Sequence, residues 1–154
     1  MSPHIRVLSL ASLLLCTGCI FGIKRIEVDV PRGTVAIDMY EPTRDAEGND
    51  IPPEDSDTAG RMEIDTSTKP ATAKIEGVAL FSGEDSTCTS EGGDLERLAK
   101  RLRSASTGDA IDLDYEKTDG GCVNVTVTLS GSTSLSTAGS DTYDMTCCPD
   151  SEVR

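Results

Sequence analysis

The stretch Cys122-Val-Asn-Val-Thr-Val-Thr-Leu129, CVNVTVTL, decides the fold. Apolar side chains stand at every second position, Val123, Val125, Val127 and Leu129, with Asn124, Thr126 and Thr128 between them. A period of two belongs to a strand with one buried face and one wet face. Immediately upstream, Thr118-Asp-Gly-Gly121 supplies a turn, and before it Ile111, Leu113 and Tyr115 alternate with Asp112, Asp114 and Glu116. The two runs predict an antiparallel hairpin. Downstream, Gly131 to Gly139 is a loop rich in Gly, Ser and Thr, and Thr142 to Cys148 is a last strand with Tyr143, Met145 and Cys147 on its inner face.

Further from this hairpin the same alternation recurs. Ile26-Glu-Val-Asp-Val30 and then Val35, Ile37 and Met39, separated by Pro31-Arg-Gly33, read as a second hairpin with one buried face. Arg61 to Asp65 is a short strand and Ala73 to Phe81 a longer one interrupted by Gly77. Between them, Glu41 to Gly60 is rich in Pro, Gly and acid and has almost nothing to bury, so it is a long flexible surface loop. Asp94 is placed to cap a helix whose Leu95, Leu98, Ala99 and Leu102 fall on one face, turned to the sheet. The fold class is mainly β (α+β): an antiparallel sheet or a two-sheet sandwich with one short helix packed on it. No internal repeat is visible.

Strand parity also bears on the cysteines. Cys122 falls on the outer face with Asn124 and Thr126, and Cys148, next to the inward Cys147, also points out. If the last two strands pair about a centre near Leu135, the numbers of opposed residues sum to about 270, which sets Cys122 against Cys148. Cys88, in the loop before the helix, is then left for Cys147. Four cysteines allow three pairings. Joining the neighbours Cys147 and Cys148 is the least favoured, because adjacent strand residues point apart. These four contain no CxxC pair of the kind that marks redox or zinc chemistry.

The N-terminus gives the compartment. Val7 to Leu15 is an apolar run of nine residues broken only by Ser9 and Ser12, behind a weakly basic lead of His4 and Arg6. It is too short for a spanning helix, which needs about 20 residues, and suits an export signal. The run ends in Leu15-Cys-Thr-Gly-Cys19, which resembles the lipobox of bacterial lipoproteins; Cys16 stands where that motif usually has Leu. The resemblance covers about the first 20 residues. It implies a signal peptide at 1–18, acylation of Cys19, a lipid anchor and short tether at 19–22, and Lys24 and Arg25 near the headgroups. Since Ile20 rather than Asp follows the cysteine, the resemblance leans to the outer membrane, facing the periplasm.

Residues 23–154 form one domain of ordinary size. Without residues 1–18 the chain keeps 136 residues, 13 of its 14 Lys and Arg and all 27 Asp and Glu, a net charge of −14. Such a chain repels phosphate backbones, so nucleic acid is excluded as a partner. With no Trp, three Tyr and two Phe, the core is built from Val, Ile, Leu and Ala, a modest core that disulfides reinforce in an oxidising compartment.

The only histidine, His4, leaves with the leader, so no Ser/His or Cys/His nucleophile and no histidine metal ligand remains. Acids are so abundant that paired carboxylates occur by chance, and no catalytic motif accompanies them. The chain reads as a non-enzyme without cofactor. Calcium is the one metal considered, through Asp45, Glu47, Asp50, Asp55 and Asp57 with Glu54 beside them. Gly48 stands fourth from Asp45, whereas an EF-hand places its Gly sixth. A solvated acidic loop is the plainer reading, as a solvated face, or one contacting the chain's own acids, is for the helix's Arg97, Lys100, Arg101 and Arg103. The expectation is a lipid-anchored protein-binding or assembly module of the cell envelope; the alternative is a calcium-dependent surface or adhesion module.

Overall fold

A computed structural model describes residues 19–77, 86–118, 120–130 and 141–149. The expected leader, the loop at 131–139 and the far end of the Ala73–Phe81 strand lie outside the described residues. Among the described residues eight antiparallel strands form one sheet: β1 (Cys19–Asp29), β2 (Thr34–Tyr40), β3 (Gly60–Asp65), β4 (Thr72–Glu76), β5 (Ser86–Thr89), β6 (Ala110–Lys117), β7 (Val123–Ser130) and β8 (Asp141–Pro149), with helix α1 (Asp94–Arg103) between β5 and β6. Mainly β with one short helix is therefore what the chain forms. The sheet does not split into a sandwich; it closes on itself in the order β1-β2-β3-β4-β5-β8-β7-β6, with β6 returning to β1.

Two features make closure possible. β1 carries a bulge between Ile23 and Arg25, so that its first part pairs with β6 and its second with β2. A bulge bends a strand and raises its twist, which lets one strand turn from one neighbour to another. The second feature is β5, a strand where a loop was expected. Its residues Ser86–Thr89 pair with β8 and place Cys88 opposite Cys147. The barrel is thus two meanders, β1 to β5 and β6 to β8, joined along two seams, β5–β8 and β1–β6.

The interior is filled. Val123, Val125, Val127 and Leu129 of β7 are all buried, as their parity requires, and meet Val35, Ile37 and Met39 of β2 in one core. Opposed residues of β7 and β8 pair as Val123↔Cys147 through Leu129↔Asp141, so every pair sums to 270. Outward positions of the same strands carry Asn124, Thr126, Asp144 and Thr146, and those of β3 and β4 carry Glu63, Lys74 and Glu76. This is the reverse of a membrane-spanning barrel, whose outer wall is apolar and whose lumen is polar.

Helix α1 leaves the C-terminal end of β5 and delivers the chain to the N-terminal end of β6, so it covers that end of the barrel. Leu95, Leu98, Ala99 and Leu102 are buried in the barrel core. Asp94 is the first helical residue rather than the cap. The capping position is Gly93, at φ +79°, a conformation open to glycine, and the Leu95 N–H donates instead to Ser90 Oγ at 3.0 Å. The Asp94 carboxylate is turned to β8, where it accepts the Asp144 N–H at 2.9 Å. Arg97, expected on a solvated face or against the chain's own acids, pairs with Asp94 and lies 5.4 Å over the Tyr143 ring.

Candidate functional site

The segment that the lipobox resemblance singles out is part of the barrel wall. Cys19 is the first residue of β1 and stands opposite Leu113 of β6, followed by Ile20 opposite Asp112, Phe21 opposite Ile111 and Gly22 opposite Ala110. Residues 19–22, expected as a tether, are therefore strand. The reason is Phe21, which shares the inward face with Ile23 and is buried, while Ile20 points out and is 58% exposed. β2 ends at Tyr40, opposite Gly22, so among the described strands Cys19–Phe21 have β6 as their one neighbour. Gly22 is required by Tyr40: a Cβ there would lie 2.4 Å from the phenol ring.

Lys24 and Arg25 are both tied to the barrel by side-chain bonds, with the Arg25 side chain still 64% exposed. Lys24 Nζ donates to the Ser56 carbonyl at 2.6 Å. Arg25 Nη2 and Arg61 Nη1 hold the two oxygens of Asp38 at 2.8 and 2.9 Å, and Arg61 Nη2 reaches Glu27 Oε1 at 2.8 Å. Asp38 lies on the outer face of β2 yet is buried beneath these guanidinium groups. Burial pushes its carboxyl up, but the hydrogen bonds and charges of Arg61 and Arg25 outweigh that and hold it below the ordinary aspartate range.

Asp112, opposite Ile20, is in the contrary position. Its Oδ1 is buried and receives no hydrogen bond. Burial first, and the charge of Asp114 second, push its carboxyl above the usual range. The Tyr115 hydroxyl is also buried without a partner, and burial pushes it up. Unsatisfied buried acceptors cost stability unless a donor arrives.

The calcium candidates do not converge. Asp45 spends its Oδ1 on its own turn, accepting the Glu47 and Asn49 N–H groups at 3.0 and 2.9 Å. Asp50 pairs with Arg44 at 3.3 Å, and Glu47 is exposed. Asp55, in a 3-10 turn at Pro53–Asp55, and Asp57 line a separate groove of about 380 Å³ with Glu41 and Thr43. Among the described residues no three His, Cys, Asp or Glu are grouped as metal ligands would be. The 41–60 loop, expected to be flexible, is knit by backbone bonds such as Ile51 N–H to Thr43 O at 3.0 Å and Ala59 N–H to Met39 O at 2.6 Å.

A wider groove of about 720 Å³ runs outside β7 and β8 beside the start of α1. It gathers Glu91, Asp94, Glu116 and Asp144 with Asn124, Thr126 and Thr146. Asp94 is held below its ordinary range by the Asp144 N–H and then by Arg97. Thr126 Oγ1 donates to Asp144 at 2.9 Å and Thr146 Oγ1 to Asn124 at 2.9 Å, so the hydroxyls are already engaged and the groove offers mainly acceptors. Outward parity on β7 and β8 could have grouped these residues from the sequence, but the strand order was needed to bring in Glu116 and Asp94.

The disulfides join Cys88 to Cys147 and Cys122 to Cys148, with Cα–Cα distances of 3.9 and 4.3 Å, which is the pairing the register sum gives. The first lies wholly inside the barrel and closes the β5–β8 seam; the second lies outside, half-buried.

No protein-family model, curated protein or solved structure matches the chain. Its function must be read from its own residues. Two surfaces stand out on those grounds: the Cys19–Gly22 seam with its unsatisfied Asp112, and the acceptor-lined groove beside α1.

Proposed function

We propose that the chain is a membrane-anchored bacterial lipoprotein, non-enzymatic, whose barrel is a protein-binding or assembly module of the cell envelope. One observation carries the reading: the barrel is packed with side chains inside and polar outside. A lipocalin-like barrel encloses its ligand, but a filled one meets partners only on its outer wall. The two cross-links suit an oxidising compartment and the lipobox-like Leu15–Cys19 an acylated Cys19. Ile20 after the cysteine favours the outer membrane, on the periplasmic side.

The test is intact-mass analysis of the protein from membranes, together with cross-linking in cells of a tagged copy and its Cys19→Ala counterpart. An acylated N-terminal cysteine and a stoichiometric envelope protein recovered from the native copy, and lost from the variant, are expected. An unacylated chain starting elsewhere would overturn the anchor, and recovery of no partner would overturn the binding role.

A further inference from the structure

The position of Cys19 in the wall conflicts with an acyl anchor. Beyond Leu113, β6 runs on from Asp114 to Lys117 before the chain turns back into β7. At about 3.3 Å per residue the hairpin tip lies roughly 13 Å past the level of Cys19. With the barrel standing end-on to a bilayer, acyl chains on residue 19 insert fully only if this tip enters the membrane or if the segment leaves the wall. The tip carries Asp114 and Glu116 on its outer face, and carboxylates are strongly disfavoured in lipid.

The segment is built to leave. Cys19–Phe21 pair with β6, and the Phe21 ring is inserted into the core while Ile20 stays outside. Behind them, Ile23 is clamped on both sides, its N–H to Asp109 O at 2.9 Å and its carbonyl to the Gly108 N–H at 2.8 Å, and the bulge follows at once. The hinge thus sits at Gly22, ahead of a fixed point. Of the two seams joining the meanders, β5–β8 is cross-linked by Cys88–Cys147, and β1–β6 has no covalent bond across its described residues.

Resting on the lipoprotein reading, we propose that acyl insertion withdraws Cys19–Phe21 from the wall and that the vacated edge of β6, Ala110–Leu113, binds an extended segment of an envelope protein as an added strand, with an aromatic side chain in the Phe21 slot and a Lys or Arg opposite Asp112. The backbone edge supplies the hydrogen bonds of strand addition, and the side-chain slots supply the choice of partner. Ile20 offers Asp112 no donor, although the Asp112 Oδ1 lies buried and unsatisfied across from it. A basic residue in that place satisfies the acceptor with a charge-assisted bond.

The test uses acylated full-length protein in phosphatidylcholine vesicles and the acyl-free Cys19→Ser chain, with two labelled peptides, Ser-Ile-Phe-Gly-Ile and Ser-Lys-Phe-Gly-Ile. Of the Ala110–Leu113 amides, the alternate ones that face β1 are expected to exchange with solvent about tenfold faster or more in the acylated protein, while those that face β7 stay protected. The lysine peptide binds it about fivefold more tightly than the isoleucine peptide, a preference lost in Asp112→Asn. Cross-linking the seam through Ile20→Cys with Asp112→Cys, which stand directly opposite, abolishes binding of the isoleucine peptide, whose affinity does not draw on Asp112; unchanged protection of the Val123–Leu129 amides checks that this variant is folded. Equal exchange in both proteins, peptide binding by the cross-linked variant, or self-association through the edge in place of peptide binding would each overturn the inference. Absence of acyl on Cys19 sinks the lipoprotein reading itself, whereas acyl present over a protected edge sinks only this proposal.

Discussion

Replacing Cys122 and Cys148 together by serine measures what the outer cross-link contributes. The pair closes a loop of sequence separation 26. Opening that loop returns to the denatured chain an entropy worth about 3.5 kcal/mol at 25 °C. Losses in the folded state are small, because both residues are half-buried on the outer wall, where serine hydroxyls stay hydrated. A domain of this size is stable by roughly 5–15 kcal/mol, so the variant remains folded. With a urea slope of about 1.8 kcal/mol/M, the midpoint falls by about 2 M. The assay is urea unfolding of the acyl-free chain followed by far-ultraviolet circular dichroism, since the protein has no Trp to report by fluorescence. Cys88→Ala with Cys147→Ala is the internal comparison. Its separation of 59 is worth about 4 kcal/mol on the same scale, and a cavity term adds to it because both sulfurs lie in the core. An outer-pair shift below about 0.5 M, or an outer pair costing more than the inner one, would refute this account of the two cross-links.

Three further outcomes follow from the geometry. Gly22→Ala drives a Cβ into the Tyr40 ring and destabilises the fold by about 1–3 kcal/mol, but costs much less in a Tyr40→Ala background where the ring is gone; thermal melts of both single variants and the double decide it. Asp38, whose carboxyl is held low, contributes stability that is present above the unfolded value of 3.8 and lost as pH falls through the folded one. Asp38→Asn should therefore lose stability at pH 7 and show a flatter decline between about pH 5 and 2 than the native chain, a result that titration of urea midpoints across this range can contradict. Leu98→Ala, at a fully buried position under α1, costs about 2–5 kcal/mol in the same unfolding assay, and a cost below about 1 would mean that the helix does not seal the barrel.

Much of this fold was legible because its signals are local. The alternation Val123 to Leu129 is strict over a whole strand, and it fixed not only a hairpin but the parity that sorted Cys147 inward and Cys148 outward. The stripe Leu95, Leu98, Ala99, Leu102 gave the helix for the same reason. What escaped depended on pairing between distant segments. Ser86-Thr-Cys-Thr89 has no bulky side chain, so its alternating burial leaves no trace in hydropathy, and only its neighbour β8 defines it as a strand. Barrel closure was hidden in Ile20-Phe-Gly22, too short a run beside the leader to read as strand, and in a bulge that no residue type announces. Asp38 looked like any outward acid of an alternating strand. Its burial comes from Arg25 and Arg61 on the two flanking strands, a coincidence of register that neither residue reveals alone. The seam's functional interest has the same origin, since the β1 residue set against Asp112 is Ile20, which has no donor for its buried Oδ1.

The consecutive cysteines of β8 also limit how far the molecule can be stretched. Cys147 is bonded to the neighbouring strand β5 and Cys148 to Cys122 just ahead of β7, so the stretch between Cys88 and Cys147, a sequence separation of 59, is short-circuited. A chain held at Cys19 and pulled from beyond Cys148 can lengthen only through the part between Cys19 and Cys88, about 70 residues or roughly 240 Å of contour. Everything from α1 through β7 is excluded from the load path. Under tension applied between Cys19 and a point beyond Cys148, the first meander is the extensible element, and the hairpin of β6 and β7 with its helix travels as an unloaded loop.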